Sequence, residues 1–292
     1  MKKQFLYLLF AMSLTFLTTA CGNDDDDYGE TVIVNEDGTT SNGSTFFLID
    51  EKNFYLDHIK YTNFYDTDNL TVSGYDESGL NEIANIVPKI SVKGHTYEVT
   101  SMMYDAFKNC TRLSSVIIPQ TIQVIGEEAF KNCIGLTSLI IPRSVVSIRD
   151  FAFSGCGGLV SIVVEEGNEK FWSPNKCNAI ILKTKRWLIQ GCRNTTIPDD
   201  ILSIYHDAFR GCVGLTSISI PSSVTYIGQD AFKGCSDLTS IHCKIGNPSD
   251  CTVYSLFDND TYESATLYVP KGSREAYMRT DRWDKFKNII EE

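Results

Sequence analysis

A phrase of 23 residues recurs along this chain and constrains its fold more than any other feature. Each copy carries an Ala-Phe pair, a cysteine three residues after the Phe, and a leucine three residues after the cysteine. The Ala-Phe pairs are Ala106-Phe107, Ala129-Phe130, Ala152-Phe153, Ala208-Phe209 and Ala231-Phe232. A fixed period of this length predicts a solenoid, because one repeat cannot bury its apolar face alone and needs neighbours stacked on it.

Within one repeat, the pattern predicts a short helical turn followed by a strand. In one unit, Glu127 to Asn132 would form the helical turn, with Phe130 and Cys133 on its buried side. Leu139 then points inward from the strand, and Pro142 ends it because proline cannot donate to a sheet ladder.

Stacked strands of this kind form a narrow parallel sheet whose alternate residues face outward. The first outward row is serine throughout: Ser115, Ser138, Ser161, Ser217 and Ser240. The second row begins aliphatic and ends polar: Ile117, Ile140, Val163, Ser219 and His242. We predict that these two rows contact a partner. They contain no aromatic side chain, which disfavours glycan capture for nutrient uptake.

One unit breaks the period. Phe153 and Phe209 are 56 residues apart, ten more than two repeats require. The expanded unit covers about residues 165–198, where Cys177 to Leu182 and Trp187 to Ile189 flank Lys183 to Arg186. This arrangement predicts a β-hairpin with a basic tip.

The N-terminus has the features of an export signal. Lys2 and Lys3 precede an apolar stretch, Phe5 to Leu17, whose 13 residues are too few to span a bilayer as a helix. Leu17 to Cys21 resembles the lipobox of bacterial lipoproteins, which implies a signal peptide over residues 1–20 and a lipid anchor on Cys21. An ordinary signal peptide with an incidental cysteine is the alternative.

An acidic run, Asp24 to Asp27, follows the cysteine. We expect residues 21–44 to form an acidic flexible tether. The run also resembles the surface-export signal of some Gram-negative lipoproteins, so we favour the outer face of an outer membrane over its periplasmic face. Loss of residues 1–20 removes two lysines and changes the formal net charge from −11 to −13, which disfavours nucleic acid as a partner. Against that background, the basic tip is the place to expect an acidic partner.

The ends of a solenoid must cover its last apolar layers. Residues 45–104 are predicted to be a β-rich N-terminal cap, with strands over 45–50, 54–61, 70–74 and 90–102. The repeats occupy residues 105–265. In the C-terminal cap, residues 266–292, we expect a last strand at 266–269, a short helix capped by Ser273, and a helical apolar face carrying Trp283, Phe286 and Ile289.

The repeat phrase, as in Ala208 to Pro221, resembles the BspA-like class of leucine-rich repeats. The unit around Cys177 to Cys192 and the tail from Leu267 to Ser273 are similar to variants and caps of that class, so the resemblance covers about residues 95–292. It implies a leucine-rich repeat solenoid, mostly β with short helical turns. Family members include surface adhesins said to bind extracellular-matrix proteins or other cells, and the family offers no catalytic residues.

Ten cysteines raise the question of metal or disulfide sites. None has the C-x(2–4)-C spacing of zinc sites, and five recur at one repeat position, which predicts a ladder of small buried side chains. Bridges between Cys177 and Cys192 and between Cys243 and Cys251 stay open. No H-E-x-x-H, G-x-S-x-G or G-x-G-x-x-G motif occurs, so we predict no catalytic residue, no metal and no cofactor.

These observations predict a lipid-anchored surface module that binds a protein or glycan on a host or neighbouring cell. The alternative is a non-catalytic structural or accessory subunit of an outer-membrane complex. The residue pattern leaves the ligand, the membrane face and the oligomeric state open.

Overall fold

The computed structural model describes residues 31–35, 37–50, 52–64, 67–76 and 82–292. The predicted signal peptide, Cys21 and the run Asp24 to Asp27 lie outside the described residues. Within the described ranges, no helix is long and apolar enough to cross a membrane.

The N-terminal region is a mixed β-sheet together with one strand of the solenoid. Its strands are β1 Val32–Val34, β2 Phe46–Leu48, β3 Asn53–Leu56, β4 Ile59–Thr62, β5 Asn69–Tyr75, β6 Ile83–Asn85, β7 Lys89–Val92 and β8 His95–Met102. The strand order in the sheet is β1-β7-β8-β5-β4-β3-β2. This sheet continues into the repeats, because β8 pairs in parallel with Val124 and Ile125.

Two expectations for this region were wrong. The tether was expected to extend to residue 44, but β1 pairs in parallel with β7, so the chain is already part of the sheet at Val32. Segments 54–61 and 90–102, each expected as one strand, are hairpins. Their turns, Asp57-His58 and Lys93-Gly94, have positive φ at both residues, the geometry that matches the twist of paired strands.

The repeats form two walls around an apolar interior. Their strands are β9 Ser115–Ile117, β10 Val124–Ile125, β11 Ser138–Ile141, β12 Ser147–Ile148, β13 Ser161–Val164, β14 Phe171–Trp172, β15 Ile180–Leu182, β16 Trp187–Gln190, β17 Ser203–Ile204, β18 Ser217–Ile220, β19 Tyr226–Ile227, β20 Ser240–Cys243, β21 Thr252–Val253, β22 Thr266–Val269 and β23 Asn288–Glu291. The front wall contains β6, β9, β11, β13, β18, β20, β22 and β23, and the second wall contains β8, β10, β12, β14, β15, β16, β17, β19 and β21. Within the described ranges, the α-helices are α1 Asn259–Ser264 and α2 Arg274–Tyr277.

The predicted helical turn of each repeat is instead a pair of tight turns. In the unit at Ala129, Glu128 and Asn132 have φ of 54° and 60°. The backbone N–H of Phe130 is thereby free to donate to the carbonyl of Ala152 in the next repeat at 2.7 Å. A helix would use such N–H groups internally, whereas the turns use them to join neighbouring repeats.

Phenylalanine rings stack along the interior. Phe130 lies 4.9 Å from Phe107 and 5.4 Å from Phe153, with ring planes within 7° of parallel. Phe209 and Phe232 continue the pattern at 5.0 Å. The repeated Ala and Leu side chains are buried beside these rings, as are the inward strand residues. The periodic apolar positions therefore form the core, as the sequence predicts.

All nine cysteines in the described part of the chain are buried free thiols. Three repeat cysteines donate S–H to the carbonyl of the Phe in the preceding unit: Cys133 to Phe107 at 2.9 Å, Cys156 to Phe130 at 3.0 Å and Cys235 to Phe209 at 3.0 Å. The predicted ladder is confirmed. Each thiol occupies little volume and also satisfies a buried carbonyl.

The expanded unit interrupts the stack. Its hairpin, β15 and β16, is present as predicted. Gly191 stands where other units have Phe: its N–H bonds to the carbonyl of Ala208 at 2.8 Å, and a Cβ there would collide with the Phe209 ring. The buried residues accordingly fall into two apolar clusters that divide within this unit: Phe171 and Ile180 belong to the first, and Ala179 and Ile181 to the second.

The C-terminal cap differs from the prediction. The last strand is β23, which pairs in parallel with β22, so Ile289 belongs to a strand and not to a helical face. Ser273 precedes α2, but its hydroxyl donates to the carbonyl of Pro270 at 2.5 Å and caps no helical N–H. Trp283 and Phe286 are buried as expected.

We expect the nine cysteines to resist iodoacetamide in the native protein at about pH 8 and to react once the chain is unfolded without reductant. Burial raises the pKa of Cys235 and Cys251 to about 12 and that of Cys243 to about 11, so little thiolate forms. Intact mass measurement of a chain that begins after Cys21 counts the labels. Two labels fewer than nine after unfolding would reveal a disulfide and contradict the structure.

Candidate binding face

The ten residues predicted to face outward all lie on the front wall, and none of them is buried. Strand register places them side by side: Ser138 opposite Ser161, Ile140 opposite Val163, Ser217 opposite Ser240, and Ser219 opposite His242. The alternation of buried and outward residues along each strand produces this arrangement. The predicted geometry is confirmed, while the role of these residues in binding stays a prediction.

Exposed aliphatic side chains dominate the N-terminal half of the face. Ile117, Ile140 and Val163 are each 44% exposed, although they belong to a branched aliphatic class usually found in protein interiors. Strand β6 extends this patch, because it places Ile83 beside Ser115 and Asn85 beside Ile117. Strand β6 lacks the repeat phrase and was not expected from the sequence; its parallel pairing with β9 defines it.

The C-terminal half of the face carries aromatic rings. Strand β22 places Tyr268 beside His242, and the two rings stack at 4.5 Å with planes 7° apart. Nδ1 of His242 lies 3.0 Å from the Glu292 carboxylate, and Ile290 continues the row. The ten predicted positions contain no Phe, Tyr or Trp, but the outward rows extend beyond them to Tyr268, which the sequence pattern had not assigned to the face. The alternation Leu267-Tyr268-Val269, which matches Ile241-His242-Cys243, could have revealed this extension.

A groove separates the two halves where the expanded unit enters. No pairing joins β13 to β18 among the described strands. The groove has a volume of about 790 Å³ and is lined in part by Trp172, Thr196 and Ser219. The groove borders β18 of the front wall, whose Ser217 and Ser219 belong to its lining, so a concave segment interrupts the outward rows there.

The basic tip of the expanded hairpin folds back on its own chain. Nζ of Lys183 donates to the Asn168 carbonyl, and Nζ of Lys185 lies 4.1 Å from the centre of the Trp187 ring. Arg186 pairs with Asp200 at 2.9 Å. These partners leave the tip poorly suited to the acidic ligand that the sequence suggested.

The tyrosines whose pKa burial raises most strongly lie in the interior. Burial raises the pKa of Tyr277, whose hydroxyl donates to the Ile245 carbonyl at 2.7 Å inside the C-terminal cap. Burial likewise raises the pKa of Tyr61 in the N-terminal sheet. In the part of the chain that the structure describes, no three His, Cys, Asp or Glu side chains are grouped so as to hold a metal ion.

The stacked repeats and their parallel front wall define a leucine-rich repeat solenoid. The family model for the BspA-type leucine-rich repeat region matches in six copies over residues 96–178 and 189–268. The chain therefore belongs to the BspA-type leucine-rich repeat family. The unmatched residues between these ranges include the tip of the expanded hairpin.

Several solved structures are similar to this chain. A leucine-rich repeat protein from Bacteroides ovatus is 24% identical, with a TM-score of 0.41, 82% of this chain covered and 76% of that one. A leucine-rich repeat protein from T. pallidum is 19% identical, with a TM-score of 0.39 and coverages of 72% and 84%. A leucine-rich cell surface protein from Faecalibacterium prausnitzii is 16% identical, with a TM-score of 0.33 and coverages of 83% and 95%. Comparison with curated proteins gave no significant match.

Proposed function

We propose that this chain is a non-catalytic binding module displayed on the cell surface, where its front wall contacts a protein or glycan on a host or neighbouring cell. The observation that carries the proposal is the exposed aliphatic patch of Ile117, Ile140 and Val163. Contiguous exposed apolar residues mark interaction surfaces in soluble folds. The serine row beside the patch supplies hydrogen-bonding groups, as the polar rim of an interface does.

The proposed anchor is a lipid on Cys21, joined to the folded part by the segment before Val32. Such an attachment would hold the solenoid close to the outer membrane while leaving its long front wall accessible. The elongated surface of a repeat protein is better suited to contact with a large partner than to enclosure of a small molecule in a deep pocket.

Replacement of the patch by Ile117→Glu, Ile140→Glu and Val163→Glu should weaken binding to epithelial cells or immobilised extracellular-matrix proteins by at least about tenfold, because it places three charges in an apolar contact. Labelled purified protein measures the binding, and thermal unfolding should change little because these side chains face solvent.

The matched control carries Ile134→Glu, Leu202→Glu and Val213→Glu, at positions that are exposed by 57%, 45% and 55% and lie outside the front-wall strands. Control protein should bind like the wild type. Undiminished binding of the patch variant would contradict the proposed face. Recovery of co-resident membrane proteins alone, by affinity capture from intact cells, would favour the accessory-subunit function instead.

Protease added to intact cells should cleave the wild-type protein, and Cys21→Ala should abolish incorporation of a labelled fatty acid and release the chain from the membrane. Immunoblotting of whole cells and membrane fractions measures both effects. A chain that resists protease until the outer membrane is permeabilised would lie in the periplasm, which is incompatible with adhesion.

A further inference from the structure

The edge of the solenoid formed by the paired turns carries a ladder of charges that one repeat breaks. The residue before each repeat Ala has a left-handed backbone, and in four repeats it is acidic: Asp105, Glu128, Asp207 and Asp230, with φ between 54° and 59°. Each of these acids pairs with a base three residues later at 2.5 to 3.6 Å. In the third repeat, the same two positions hold Phe151, with φ of 58°, and Ser154.

An aromatic side chain in the left-handed region is unusual, because its bulk crowds the backbone there. The acids of the other repeats have the same left-handed φ, so this backbone turn is common to the repeats and the aromatic side chain is what sets the third repeat apart. Strained residues of this kind cluster at ligand sites, so Phe151 is a candidate to line one.

Phe151 lines a cavity of about 230 Å³ beside the expanded unit. The cavity lies in the second wall, where β12 and β16 are not paired with each other. Its aromatic lining runs from Trp187 through Tyr205 and His206 to Phe151, with successive ring centres 5.4, 3.7 and 4.6 Å apart. Phe151, Trp187 and the adjacent pair Tyr205-His206 come from three separate segments of the sequence, and the break in the repeat places these segments side by side.

Polar groups converge on the same cavity. Ser154, Gln190 and Asp207 belong to its lining and are 2%, 5% and 8% exposed. The Ser154 hydroxyl donates to Asp207 at 2.6 Å. Among the described residues, buried Nε2 of His206 has no hydrogen-bond partner. Burial lowers the pKa of His206 against the opposing effect of Asp150 and Asp207, so the imidazole is neutral at pH 7.

The surroundings of the cavity limit the charge of a ligand. Nζ of Lys131 lies 5.7 Å from the centre of the Phe151 ring, and Nζ of Lys185 lies 4.1 Å from that of Trp187. These ammonium groups already occupy the cation-binding positions of the two outer rings, which disfavours a cationic ligand. Nε2 of Gln190 already donates to the Gly191 carbonyl at 2.9 Å, but an apolar ligand would leave buried Nε2 of His206 without the partner that burial of a polar atom demands.

We propose that this cavity binds a single neutral sugar ring. A pyranose offers a flat C–H face to aromatic rings and hydroxyl groups to the buried polar atoms. The volume is below the ~300–1,000 Å³ of sites for drug-sized ligands, which fits one ring rather than an extended chain. The cavity lies on the second wall, so this inference does not depend on the proposed binding face.

Saturation-transfer NMR with the methyl glycosides of glucose, galactose, mannose and N-acetylglucosamine tests the proposal. At least one glycoside should receive saturation from the wild-type protein. Phe151→Asp should reduce that signal at least about tenfold by removing an aromatic wall. The fold should persist with an unchanged or higher melting temperature, because the new carboxylate can pair with Lys131 as Glu128 pairs with Lys108 at 2.6 Å.

Trp187→Ala provides a second variant with the same expected loss of signal. Tyr254→Ala, at an exposed tyrosine elsewhere on the chain, is the matched control and should retain the signal, as should the front-wall patch variant. The proposal is overturned if none of the four glycosides receives saturation from the wild type. A signal that survives in folded Phe151→Asp or Trp187→Ala protein, or that Tyr254→Ala removes equally, also overturns it.

Discussion

The stacking of one phenylalanine on the next is the interaction on which the rest of this structure depends. Rings of consecutive repeats lie about 5 Å apart and nearly parallel, and the N–H of Phe130 bonds to the next repeat's Ala152 carbonyl. Full burial of such a side chain contributes about 1.5–3 kcal/mol, and an aromatic pair adds about 0.5–1.5 kcal/mol. Each interface between repeats therefore gains several kcal/mol that an isolated repeat lacks, which is why the fold exists only as a stack.

The ring stack also determines where binding surfaces and cavities can form. Because the periodic Ala, Phe, Cys and Leu side chains are committed to the interior, a partner meets the variable residues between them. The expanded unit has a glycine, Gly191, where the ring stack requires Phe, and both walls open beside it. The groove on the front wall and the aromatic cavity on the second wall are two consequences of one interruption in the repeat.

The sequence period correctly predicted those features that depend only on contacts between adjacent repeats. The buried core positions, the serine row and the aliphatic patch follow from a period of 23 combined with the alternation of strand residues. Features that depend on distant partners were missed or misassigned. Strand β1 is defined by its pairing with β7, and Ile289 shares a helical spacing with Trp283 and Phe286 yet pairs as a strand with Leu267.

The turns show a second limit. Glu127 to Asn132 has the composition of a helical turn, but left-handed residues at two positions redirect its N–H groups toward the adjacent repeat. Local propensity was overridden by bonding between repeats. The aromatic cavity is a similar case, since Phe151, Trp187 and His206 become neighbours through the way the expanded unit is accommodated.

Urea unfolding of Phe130→Ala tests most directly whether the ring stack holds the solenoid together. Phe130 is fully buried between two rings, so its truncation should lower the free energy of unfolding by about 3–5 kcal/mol. The same substitution at Phe47, which is 64% exposed, should cost less than about 1 kcal/mol. Equal and small losses for the two variants would contradict the account, because they would mean that the repeats are held together by something other than the stacked rings.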